Sequence, residues 1–175
     1  RRFAGHEGWY AGGLESIFTP SFTLLLDNRE VLFGGGDARV ASLLIWHFCE
    51  EIEHRSAALN VYNYLHGDYI YRVGNFSGFM KHVNAGAALL MEEFKKNVPD
   101  VPHELYGAKM KSTLPLSGRL RSALGIFMSQ MPWHNPDHEQ VPAYYAEWMS
   151  RYDSGADVTQ IFGVRHEQGA LQAAG

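Results

Sequence analysis

The stretch IWHFCEEIEHRSAALNVY, residues 45–62, decides how the chain is read. It has no proline or glycine, and its apolar residues recur at helical spacing. Its reading as helix puts four titratable side chains within two turns. A helix turns by about 100° per residue, so with His47 taken as zero Glu51 falls at about 40°, Glu50 at about 300° and His54 at about 340°. Leu43 and Leu44 lie above them on that face, with Ala58, Val61 and Tyr62 below. Glu53, at about 240°, points elsewhere. The flanking Ile45, Trp46, Phe48 and Ile52 mark the helix as mostly buried, so the expectation is a polar band set into an apolar stripe.

Buried carboxylates and imidazoles are costly unless paired or metal-bound. Glu51 and His54 form Glu-x-x-His, a spacing that lets both side chains reach one point on a bundle axis, as in di-iron and di-manganese carboxylate bundles. Such oxygen and nitrogen donors suit Fe, Mn or Zn. Glu50 and His47 then read as orienting partners or as proton-handling groups. The structural alternative is a buried Glu–His hydrogen-bond network that holds a bundle in register.

Outward from this stretch, Asp37 is a helix N-cap and Gly67 a natural stop, which predicts one helix over residues 38–66. Asp68 caps a second, running to about Asn97, with Lys95 and Lys96 in its last turn, where cations suit the helix dipole. These two long helices are expected to pair antiparallel. Residues 1–18 read as helix, continuing through 21–27 beyond a kink at Pro20. NREVLFGGGD (28–37) reads as a loop, as do residues 98–115. Shorter helices are expected over 116–131 and over AYYAEWMSRYD (143–153), with Pro142 near the start. The fold class is therefore all-α, a helical bundle with extra C-terminal helices. The domain is set at residues 1–155 and a fraying tail at 156–175.

Composition narrows function. The 175 residues are 46% apolar and 19% charged, the balance of a folded domain. A net charge of −4 without a basic run argues against a nucleic-acid surface. The single cysteine, Cys49, permits no internal disulfide and suits a reducing compartment. No membrane-spanning run and no signal peptide is evident, and a cytoplasmic location is expected. Aromatic residues make up 13% of the chain, as core or as the lining of a channel for a small apolar substrate. His82 reads as packed or solvated, and His134 and His138 as residues that could line a site entrance.

LLIWHFCEEIEHRSAALNVY resembles the signature of a bacterial family, the predicted metal-dependent hydrolases. Trp46, His47, Glu50, Glu51, Glu53, His54, Val61 and Tyr62 match it, and Arg55 stands where the family often has lysine. GGLESIFTPSFTLLL resembles the helix that precedes the signature and places Glu15 as a single-glutamate ligand. MPWHNPD is faintly similar to a His-Pro segment of the family. The clear likeness covers about residues 10–65.

The resemblance implies a ferritin-like ligand pattern of Glu, Glu-x-x-His, Glu, Glu-x-x-His on four helices. This chain would supply the last two items: Glu15, and Glu51 with His54. Glu7 is followed three residues later by Tyr10, and does not make the missing motif. The expectation is thus a polypeptide longer at its N-terminus by two helices, or a second chain, as in a homo-oligomer, covering the face. The implied activity is hydrolysis or di-iron oxygen chemistry at a divalent metal, Fe first, with Mn or Zn as substitutes. Glu51 would bridge or cap the metals, His54 bind one terminally, and Glu50 or His47 act as base. The alternative from a different class is a non-catalytic helical subunit that keeps the signature for packing.

Overall fold

The computed structural model describes residues 2–98 and 113–162, with the side chains from Gly8 onward in the first helix. Among the described residues eight α-helices follow one another: α1 (Arg2–Ser16), α2 (Phe18–Asp27), α3 (Arg29–Phe33), α4 (Ala38–His54), α5 (Ala57–Leu65), α6 (Tyr69–Asn97), α7 (Leu116–Met128) and α8 (Ala143–Asp153). Single 3₁₀ turns occupy Pro136–His138 and Val158–Gln160. No strand occurs among the described residues, and the protein is an all-α bundle. None of its described helices is long and apolar enough to cross a membrane.

The caps read from sequence are in place. The Asp37 carboxylate accepts from the amides of Arg39 and Val40 at the start of α4, and that of Asp68 accepts from Tyr71 at the start of α6. Gly67 ends α5 with φ at 62°, a conformation that a side chain would oppose. α8 begins directly after Pro142.

Two breaks differ from expectation, one with a local cause and one with a long-range cause. The first helical segment breaks at Ile17, not at Pro20. Pro20 is the third residue of α2, where a missing donor costs nothing, while its ring would collide with a carbonyl four residues back. The turn therefore falls upstream, closed by the Ile17 amide on the Leu14 carbonyl. The expected single helix over 38–66 likewise divides, at Arg55–Ser56. There the Ala58 amide donates to Glu15 Oε2 at 2.6 Å, not to the carbonyl one turn back. Arg55 turns aside at the same place, donating through Nη1 to the Ile52 carbonyl and through Nε to the Pro136 carbonyl.

α1 packs along α5 and α2 along α4, so the principal antiparallel pair is the N-terminal segment against the signature segment. The expected pairing of residues 38–66 with the 69–97 helix is replaced, since α6 lies against α1. The two breaks stand side by side. Gly12 makes the approach possible: a Cβ there would stand 3.1 Å from Leu59 Cα. Each half has its own core. Leu26, Ile45, Cys49 and Ile52 pack with Tyr144, Trp148, Ile161 and Phe162, while Trp9, Ile17, Leu59, Tyr62 and Phe79 pack on the far side of the breaks.

Two further expectations change. Residues 29–33 of the presumed loop form α3, before Gly34–Gly36 turn the chain. The segment after Gly155 does not fray at once: Ile161 and Phe162 are buried, and Ser42 Oγ bonds both the amide and the carbonyl of Phe162. The rest of the expected tail, and most of the loop at 98–115, lie outside the described residues.

Candidate metal centre

The buried stripe of α4 is Ala41, Ser42, Ile45, Cys49 and Ile52. The signature quartet lies on the neighbouring face, as the wheel predicts, but that face is not buried. The side chains of His47, Glu50, Glu51 and His54 are 49%, 36%, 23% and 54% exposed. Val40, Leu43 and Val61 are exposed around them. This corrects the expectation of a polar band sealed in an apolar stripe: the apolar flank that seals is on the other side, against α2 and α8. Cys49 belongs to the sealed side, and burial pushes its thiol up to about 12, which leaves it unreactive.

The quartet is mutually paired. His47 Nδ1 is 3.6 Å from Glu50 Oε2, and its Nε2 is 3.7 Å from Glu51 Oε1. His54 Nδ1 is 3.9 Å from Glu50 Oε1. Glu51 is the least exposed of the four, and burial raises its pKa; His47 and His54 oppose the rise, whereas Glu50 and Glu15 add to it. Glu15, on α1, is near enough for its charge to act on Glu51. Glu15 has a further role that sequence reasoning did not assign: its Oε2 holds the Ala58 amide, just after His54 ends α4.

The donors fit a divalent ion in chemical type, being carboxylate oxygens and imidazole nitrogens. Among the described residues no three His, Cys, Asp or Glu side chains already converge on one point. The pairs face each other and would have to turn toward an ion.

A second group of titratable side chains was not read from sequence. His134, expected at a site entrance, is largely but not fully buried, its side chain 9% exposed, with Nε2 3.9 Å from Glu139 Oε1. Burial and then the nearby Arg72 cation lower its pKa to about 4, so it is neutral. Burial raises the pKa of Glu139, against the pull of Thr19 and Arg55. Arg72 is itself buried and donates through Nη2 to the Met131 carbonyl. The one available signal was the density of His, Glu and Pro in MPWHNPDHEQVP. His138, by contrast, is exposed, and His82 is exposed with its ring against Tyr10.

No curated protein and no solved structure matches the chain. A family model does, over residues 6–111, a span that holds Glu15 and the whole quartet. That span is more than half of the 175 residues, and the chain belongs to the family described as predicted metal-dependent hydrolase.

Proposed function

We propose that the chain is a metal-dependent hydrolase whose divalent ion is held by Glu51 and His54, with Glu15 as a third donor. The observation that carries the reading is the mutually paired quartet beside the Glu15–Ala58 contact. One oxygen of Glu15 is committed to the backbone, and a carboxylate has a second to offer. The ion would supply Lewis acidity, lowering the pKa of a bound water and polarising the scissile group.

The chain's own residues would do the rest. His47 stands between two carboxylates and is half exposed, so it can meet solvent and substrate. A proton passed to its imidazole would have Glu50 on one side and Glu51 on the other as neighbours. Glu50 also reaches His54, so it orients two imidazoles at once. The exposed Val40, Leu43 and Val61 around the quartet suit a further element laid over it, which would exclude water from the reacting groups. Iron, manganese and zinc all remain compatible with this donor set.

Element analysis of the purified protein tests the assignment. Wild type is expected to retain a divalent metal, and His54→Ala to lose most of it. Equal metal content in the two proteins would overturn the ligand assignment and favour a packing role for the signature. Oxygen consumption during turnover would move the reading from hydrolysis to oxygen chemistry.

A further inference from the structure

We infer that the C-terminal half of α6, with the exposed stripe of α7 beside it, is the surface through which two copies of this chain pair, their α6 helices antiparallel. The row that carries the pairing is Phe76, Met80, Val83, Ala87, Leu90 and Phe94. Its intervals of four, three, four, three and four residues repeat the spacing that keeps one edge of a helix against a second helix. The first three members are used within the chain: Phe76, Met80 and Val83 are partly buried against the core that holds Trp9, Tyr62 and Phe79. The last three run on past that core. Ala87, Leu90 and Phe94 are exposed, as is every residue between Asn84 and Phe94.

The area left open is that of an interface. Leu89, Leu90, Met91 and Phe94 are 61%, 63%, 38% and 54% exposed, together on the order of 400 Å² of apolar side chain. The stripe of α7 adds about as much: Leu116, Leu120, Leu124 and Phe127 recur close to one-turn spacing, and each is more than half exposed. The ring of Phe127 stands 6.5 Å from that of Phe76, which joins this stripe to the row on α6. An apolar patch on a monomer rarely exceeds a few hundred Å². A standard stable interface takes roughly 800 Å² from each partner, and the two stripes together reach about that figure.

Charge and size select a second copy over an unlike partner. The last turns of α6 carry Glu92, Glu93, Lys95 and Lys96, two of each sign, and Lys96 Nζ donates to Glu93 Oε1 at 2.6 Å. Such a surface neither repels a copy of itself nor attracts a partner of opposite charge. The row is self-complementary when the helices run antiparallel. Leu90 then lies over the partner's Ala87, and Phe94 over the partner's Val83, so each larger side chain meets a smaller one. The antiparallel arrangement also keeps the two bundles at opposite ends of the helix pair, whereas a parallel one would bring both to the same end. Pairing of this kind uses the same residues on both sides, so it closes with two copies.

Sedimentation equilibrium of the full chain, stripped of metal, tests the surface. A reversible dimer is expected. Leu90→Glu should weaken it by at least about tenfold. Leu120→Glu, on the other stripe, should also weaken it and serves if Leu90→Glu does not fold. Glutamate keeps helix propensity at these exposed positions, and an unchanged far-UV circular dichroism spectrum checks that the variants fold. His54→Ala should dimerise like wild type, which separates this surface from the metal reading. A wild type that stays monomeric at about 100 μM would overturn the proposal, as would a dimer that both glutamate variants leave intact. A dimer broken by Leu43→Glu and not by Leu90→Glu would place the interface on the α4 face and overturn it too.

Discussion

Two groups of histidine and glutamate side chains occur in this bundle, and they differ in nearly every physical respect. The quartet on α4 comes from eight consecutive residues, faces outward and pairs with itself at 3.6 to 3.9 Å. The group at Thr19, Arg72, His134 and Glu139 comes from three distant parts of the chain, is mostly buried and leaves atoms of all four side chains unpartnered. A solvated cluster can rearrange around an ion at little cost, because water takes up whatever contacts are lost. A buried one is fixed by its surroundings, and its ionisation is coupled to folding. The comparison separates chemistry that the fold presents from chemistry that the fold holds under constraint.

The largest effect expected from this contrast is a pH dependence of stability set by His134. Its imidazole titrates near 6.5 when unfolded and at about 4 when folded, so between those values the unfolded chain binds the extra proton. Stability contributed by the neutral ring is fully present above pH 6.5 and is lost as pH falls toward 4, by up to about 3 kcal/mol. Glu139 acts in the opposite sense, because its raised pKa lets the folded state take up a proton first, and it offsets part of the loss. Urea melts at pH 7 and pH 5 should show a steep fall for wild type and a shallower one for His134→Gln. Identical slopes would remove His134 from the constrained group.

A middle effect belongs to Glu15, which ties the exposed cluster to the backbone. Loss of a helix-capping acceptor costs about 1 kcal/mol. Glu15→Ala should show that loss in metal-free buffer, whereas Glu15→Gln, which keeps an oxygen for the Ala58 amide, should recover much of it. A Glu15→Ala protein as stable as wild type would show that the 2.6 Å contact carries no net stabilisation.

The smallest effect is expected at His47. Its two partners are met at long distance in a half-exposed setting, so His47→Ala should shift stability by no more than ~0.5 kcal/mol. A loss several times larger would mean that the quartet is as constrained as the buried group, and the contrast would collapse.

The sequence is informative where the physics is local. Asp37 and Asp68 bond amides two or three residues away, and Gly67 needs only its own φ, so these boundaries could be read directly. The phase of the quartet on α4 was legible for the same reason. Its exposure was not, because periodicity shows which residues share a face and not which face the rest of the chain covers. The division of α4 from α5 depends on an acceptor 43 residues upstream, and the anchoring of Phe162 on a hydroxyl 120 residues upstream. The buried group is the extreme case: Thr19 and Arg72 fall inside the span that the family model matches, His134 and Glu139 outside it. Nothing in a local pattern joins them.

The side-by-side breaks at Ile17 and Arg55–Ser56 have a consequence for how the molecule comes apart. Each lies between a helix that feeds one core and a helix that feeds the other. Neither α1 with α2 nor α4 with α5 carries an unbroken ladder of backbone bonds from end to end. Opening can therefore stop at the breaks, and the two halves are expected to differ in their protection against exchange. The Ala58 amide sits on the seam between them, held by Glu15. The residues proposed to hold the ion, Glu15, Glu51 and His54, gather at that same seam, so an ion bound there would couple the two halves and make them unfold as one.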